Sequence, residues 1–140
     1  MTDTTRADHT DTDTDETDET GRTGTYHTDT VRRCYELIDA GHLEGFLAHF
    51  HDDVVYQRQG MPDLHGASAL RRFYEHDRVI ATGRHALDQI ITDGPWVAVR
   101  GRFTGTLKDG TDVDFRFRDF VHFRAGRIDH RETLFPTFRV

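Results

Sequence analysis

From Thr30 onward apolar residues recur at helical steps. Val31, Cys34, Tyr35 and Ile38 form one stripe, with Asp29 or Thr30 able to cap its start and Gly41 ending it. A second, shorter helix is predicted over His42–Phe50, where Leu43, Phe46, Leu47 and Phe50 fall on one side; it leads through Asp52 and Asp53 into a β-rich run, Val54–Arg58. Gly60, Pro62 and Gly66 mark Gln59–Gly66 as a loop, and Leu70, Phe73 and Tyr74 gather on one face of a third helix from Ala67 to about Arg78. The period then falls to two. Arg84–Thr92, Trp96–Leu107, Val113–Arg124 and Arg127–Val140 read as strands, separated by the turn signals Asp93-Gly94-Pro95, Lys108-Asp109-Gly110-Thr111 and Ala125-Gly126. Three helices followed by an antiparallel meander predict an α+β domain, with the helices packed on one face of a curved sheet.

Ahead of these elements the pattern disappears. Met1 to Thr25 is a run of Thr and Asp without aliphatic periodicity, which cannot bury enough apolar surface to offset its ordering entropy. The organisation expected is therefore a disordered acidic tail over 1–27 and one domain over 28–140. The first 29 residues hold nine acids against two arginines, which accounts for the whole formal charge of −7 and leaves the remainder neutral. A neutral domain without a basic stripe argues against nucleic acid as a partner. No apolar run approaches the length of a membrane span, so no membrane partner and a soluble, cytoplasmic protein are expected. Cys34 is the only cysteine, which excludes an intrachain disulfide and a cysteine metal cluster. The histidine spacings do not place three ligands on one helix face, and no glycine-rich phosphate loop follows a strand, so neither a metal nor any other cofactor is expected.

Candidate chemistry enters through the alternation in the third strand. Phe115, Phe117, Asp119, Val121 and Phe123 share one face, while Asp114, Arg116, Arg118, Phe120 and His122 share the other. Asp119 is thus a single acid on an apolar face: either a functional carboxylate or one that pairs with a neighbouring arginine.

Several stretches resemble the nuclear-transport-factor-2-like superfamily, in its SnoaL-like and ketosteroid-isomerase-like branch. They are Val31–Tyr35 with Asp39–Gly45, then Phe50–Tyr56, His65–Tyr74, Arg118–Phe120 and Gly126–Ile128. The resemblance implies a cone-shaped barrel, a curved, mixed but mostly antiparallel sheet against three N-terminal helices. It places Tyr35 on the oxyanion-hole tyrosine of ketosteroid isomerases and Asp119 on the partner acid, which that enzyme keeps protonated in an apolar site. It also places Arg58 where those isomerases carry their aspartate base. An arginine cannot abstract a proton, so steroid isomerisation by that route is not expected.

If the first strand keeps the family's parity, Val54, Tyr56 and Arg58 point inward toward Asp119 and Tyr35. An inward guanidinium would favour a wholly or partly ionised Asp119, serving as general base or, after proton uptake, as general acid, with Tyr35 and Tyr56 holding or protonating the substrate oxygen and Arg58 binding an enolate, phenolate or carboxylate. His85 lies near the pocket histidine of scytalone-dehydratase-like relatives and is a second acid-base candidate. Phe117, Val121, Arg131, Thr133 and Trp96 complete the expected substrate contacts. Arg100 and Arg102 fit the outer face better than the pocket, and Glu132 suits an outer salt bridge or a dimer contact. The function expected is a cofactor-independent cyclase or isomerase acting on a polyketide- or terpenoid-like oxygenated substrate. A dehydratase is its nearest neighbour, and a non-catalytic binding or assembly protein with a buried Asp119–Arg58 pair is its rival. A homodimer through the outer sheet face, carrying Arg116, Arg118, Phe120 and His122, is also expected.

Overall fold

A computed structural model describes residues 22–136. The first helix, α1, runs from 22 to 39, so it starts before Thr30 and inside the segment expected as tail. The rest of that tail, and positions 137–140 of the expected last strand, lie outside the described residues. The early start has a tertiary cause. The Tyr26 hydroxyl donates to the Gly126 carbonyl at 3.0 Å, the His27 ring stacks on Phe123 with centroids 4.1 Å apart, and the Thr28 and Thr92 hydroxyls are 3.0 Å apart. These contacts hold a helical turn that no apolar stripe announces. At the other end Gly41 adopts φ +79°, and the N–H groups of Gly41 and His42 bond back to the carbonyls of Ile38 and Leu37. That is a glycine-terminated helix end, and it turns the chain sharply into α2 (Leu43–Leu47).

Next come β1 (Phe50–Arg58), β2 (Leu64–His65) and α3 (Ala67–Arg72), which is continued by a π-helical turn over Phe73–Asp77. Four long strands follow: β3 (Ile80–Asp93), β4 (Trp96–Leu107), β5 (Asp112–Arg124) and β6 (Arg127–Leu134). The expected second helix is shorter than its apolar stripe, because Phe50 already pairs with Ile128 and the His49 carbonyl accepts from the Ile128 N–H at 2.9 Å. Strand pairing takes the end of the stripe away from the helix.

The sheet order is β2-β1-β6-β5-β4-β3. β3 to β6 form the expected antiparallel meander, and β1 lies parallel to β6, so the sheet is mixed but mostly antiparallel. β2 and β3 are its edges; it curves as the wall of a cone without closing into a complete barrel. Close approach at the β3–β4 seam depends on glycine. A Cβ on Gly101 would lie 2.4 Å from the Ala86 carbonyl oxygen, and one on Gly83 would lie 2.0 Å from the Phe103 ring.

Strand parity on the inner face follows the expectation. Val54, Tyr56 and Arg58 of β1 are buried, as are Phe117, Asp119, Val121 and Phe123 of β5. Arg100 and Arg102 are exposed on the outer face, where Arg102 pairs with Asp114 at 2.5 Å, and half-buried Glu132 lies on that face too. Trp96 is there as well, 42% exposed and edge-on to His122 with centroids 4.7 Å apart. It shares the parity of Ala98 and Arg100. The expectation that Trp96 contacts substrate inside the cone is therefore corrected.

Candidate active site

Asp119 is wholly buried at the middle of β5. The β5–β6 register sets it directly opposite Thr133, whose hydroxyl donates to its Oδ1. Its Oδ2 accepts from the Tyr35 hydroxyl of α1 and from Arg131 Nη2, the latter at 2.9 Å. Burial would raise the pKa of this carboxyl, but the Arg131 charge and the bonds from Thr133, Tyr35 and Arg131 outweigh it and hold the group below the ordinary carboxylate value. Asp119 is an ionised acceptor with both oxygens engaged, unlike the protonated donor that the ketosteroid-isomerase resemblance implies. Burial and the negative charge of Asp119 push the Tyr35 phenol well above its usual value, so Tyr35 stays protonated.

The guanidinium on Asp119 belongs to Arg131, which corrects the expected Asp119–Arg58 pair. Strand order is the reason: β6 lies between β1 and β5, and Arg58 pairs in register with Thr133, so it stands two strands from Asp119. Arg58 instead joins through hydroxyls. Its Nη1 donates to the Tyr56 hydroxyl at 2.7 Å, Tyr56 donates to Thr133 Oγ1 at 2.9 Å, and Thr133 donates to Asp119. Tyr56 is fully buried within this relay, so it stands behind Thr133 and off the cavity walls. Burial alone would raise its pKa, yet the charges of Arg58 and Arg131 leave it below the usual phenol value.

His85 stands on β3 with its ring 4.8 Å from those of both Tyr35 and Phe103, and edge-on to Phe117 at 5.2 Å. Its Nδ1 is 2.6 Å from Asp39 Oδ1, and its backbone N–H donates to Asp39 Oδ2 at 2.8 Å. A carboxylate accepts from Nδ1 only when that nitrogen carries the hydrogen, which leaves the lone pair of a neutral ring on Nε2. Burial lowers the His85 pKa, and the bond and charge of Asp39 oppose that shift without cancelling it. Asp39 was not singled out from the sequence. Its available signal is its position one turn after Tyr35, at i+4, which puts both side chains on one face of α1.

His85 is a wall shared by two spaces. One is an interior cavity of about 20 Å³, room for a single water, reached also by Arg58, Arg78, Phe117, Asp119 and Arg131. The other is an open groove of about 620 Å³ between α1 and β3, lined by Tyr35, Asp39, Gly83, Arg84 and His85 among others. Val121 reaches neither: it lines a separate apolar hollow with Val31, Cys34 and Phe46, so its expected substrate contact is corrected to a place in the core. In that hollow, burial raises the Cys34 thiol to about 12, which keeps it neutral. Among the described residues no three His, Cys, Asp or Glu side chains come together to hold a metal ion, and no helix is long and apolar enough to cross a membrane.

An open six-stranded cone over N-terminal helices is the architecture of the nuclear-transport-factor-2-like class. Within it the chain belongs to the SnoaL-like domain family, whose model matches residues 31–131. Similar solved structures include a nuclear-transport-factor-2-like protein of unknown function from Burkholderia pseudomallei, at 27% identity and TM-score 0.73, covering 79% of this chain and 90% of that one. An epoxide hydrolase of the LEH-like kind from M. tuberculosis is 17% identical at TM-score 0.72, covering 81% and 84%. A protein from Jannaschia sp. CCS1 assigned as a SnoaL-like polyketide cyclase is 14% identical at TM-score 0.70, covering 81% and 87%. No curated protein sequence matches the chain.

Proposed function

We propose that this protein is a cofactor-independent acid-base enzyme acting on an oxygenated small molecule of polyketide or terpenoid type, as a cyclase or isomerase. The observation that carries the reading is the Asp39–His85 pair at the floor of the groove, beside a tyrosine kept protonated. His85 Nε2 takes a proton from a carbon or hydroxyl of substrate lying in the groove, and Asp39 stabilises the imidazolium that forms. Tyr35, on the same groove wall, already gives its single hydroxyl hydrogen to Asp119, so it bounds the groove and holds no hydrogen for the substrate oxygen. When the proton comes from carbon, the enolate either receives it back from the imidazolium at a second carbon or attacks a carbonyl of the same molecule, whose oxygen takes that proton as the ring closes.

In this reading the base is His85, in place of Asp119. Asp119 has no oxygen left to accept a proton without losing a donor, and its role is to hold the Tyr35 hydroxyl and the Arg131 charge. Expulsion of a β-hydroxyl from the same enolate would make the protein a dehydratase, and the histidine-carboxylate pair suits that reaction equally well.

The test needs no known substrate. Cyclic 1,3-diketones and hydroxynaphthalenone-type ketones are incubated with the protein in heavy water, and deuterium entering at the acidic carbon is followed by NMR. Exchange above the buffer rate, reduced about 100-fold or more in His85→Ala, is expected for the loss of a general base. Exchange that persists unchanged in His85→Ala would remove the histidine from the mechanism, and no exchange with any ketone would favour a non-catalytic binding protein.

A further inference from the structure

The arginines of the interior cavity are unequally matched. Arg131 is answered by Asp119 at 2.9 Å. Arg58 donates to Tyr56, and its guanidinium lies 5.2 Å from the centroids of both Phe73 and Phe135. Arg78 lies 5.2 Å over the face of Tyr74, its Nε is buried without a hydrogen-bond partner, and among the described residues no carboxylate pairs with it. Burial works against its charge, and the neighbouring cations Arg58 and Arg131 add to that, so its pKa falls below the ordinary arginine value. A half-buried guanidinium whose Nε is shut off from partners and which has no carboxylate beside it favours an anionic partner.

The local backbone puts it there. α3 does not end as a regular helix: the π-helical turn over Phe73–Asp77 inserts a widened step, closed by the Arg78 N–H bonding the Phe73 carbonyl at 2.8 Å. Arg78 then takes extended φ and ψ and enters the cavity wall beside Tyr74, whose hydroxyl accepts from Arg131 Nη1 at 2.9 Å. Such widened turns recur at functional sites. The space left between Arg78, Arg131 and Thr133 has the volume of about one water, which suits the oxygens of a head group and excludes a molecular body.

We infer that the interior cavity is an anion subsite in which Arg78 binds an ionised oxygen of the substrate, so that the substrate class is an organic acid, a carboxylate or an acidic enol. The inference rests on the proton-transfer reading for the word substrate and on the cavity alone for the binding. The fork of Arg78 supplies donors for such a group, while the charge of Arg131 is already answered by Asp119, whose engaged carboxylate also lines the cavity.

The test is calorimetric titration of the full chain with benzoate, its neutral isostere benzamide and sodium chloride at constant ionic strength. Benzoate should bind at least about tenfold more tightly than benzamide, as expected when charge-assisted bonds to a buried cation are made. Arg78→Gln should abolish that preference, Arg78→Lys should retain part of it, and Arg102→Gln, on the outer face, should leave it intact. Thermal melting without ligand shows whether Arg78→Gln folds; it should melt no lower than the parent, since a half-buried charge without a carboxylate partner has been removed. Equal binding of benzoate and benzamide, or a preference that survives Arg78→Gln, would overturn the inference. Chloride binding as well as benzoate would reduce the site to that of an adventitious ion, which also overturns it. Because the readout is binding, its failure leaves the deuterium-exchange result standing, and a failure of exchange leaves this result standing.

Discussion

Asp119 is the residue on which the interior depends. Its carboxylate is the counter-charge of a buried guanidinium, so Asp119→Asn should cost about 3–5 kcal/mol of stability, read by urea unfolding, because Arg131 is left unmatched. The double replacement Asp119→Leu with Arg131→Met should cost much less than the single one, since it removes both charges together. The pH dependence has a definite sign. The folded-state pKa of Asp119 is depressed, so its stabilisation is complete above the unfolded value of about 3.9 and is lost as pH falls below that value toward the folded one. His85 also has a depressed folded pKa, and it must be neutral to act as a base. The acid limb of a proton-transfer rate profile should therefore lie below the ordinary histidine value of about 6.5. Asp39→Asn removes a group that raises the His85 pKa, so it should move that limb further down while lowering the plateau rate. At this scale the sequence shows which residues matter better than it shows who meets whom. Tyr35 and Asp119 stand out by periodicity and resemblance, and His85 by position. The Arg131 pairing depends on strand order, which leaves no local trace, and the Asp39 contact depends on the packing of α1 against β3, of which the i+4 spacing from Tyr35 shows only the helix side.

The elements divide along the same line. Strand ends set by turn chemistry were legible: the Asp93-Gly94-Pro95 and Ala125-Gly126 turns lie where β3 gives way to β4 and β5 to β6. Ends set by pairing were not. β1 begins four residues before Val54 because β6 supplies a partner, and β2 is two residues long and exists through its bonds to β1. The helix expected to Arg78 changes pitch at Phe73, which an apolar stripe cannot report. The β3–β4 seam offers a sharp test. Gly101→Ala would press its methyl group on the Ala86 carbonyl and the Phe117 ring, and it should cost about 1–3 kcal/mol as an overpacked interior does. Thermal unfolding measures this, and Thr104→Ala, exposed on the same strand, is a suitable control.

At the scale of the whole molecule, the homodimer expected through the outer sheet face stands as a proposal. Trp96, Phe120 and Leu134 are each at least 40% exposed, and Phe120 and Leu134 lie on neighbouring strands among the surface arginines. Light scattering at micromolar concentration should give twice the chain mass, and Phe120→Glu should halve it; a monomer in both cases would set the proposal aside.

The parallel pairing of β1 with β6 has a further consequence, in the order in which the molecule comes into being. Tyr35 reaches 84 residues ahead for Asp119 and Tyr56 reaches 77 ahead for Thr133, so the groups of the interior cluster come from both ends of the domain. A chain still emerging from the ribosome holds its tyrosines and Arg58 long before the strand that orders them. Long-range closure of this kind is slow, and it leaves the facing edges of β1 and β5 open until the final hairpin turns over at Gly126. β6 is thus the strand that brings the interior cluster together: a chain cut short before Arg127 lacks Arg131 and Thr133, and Asp119 is left without two of its three partners.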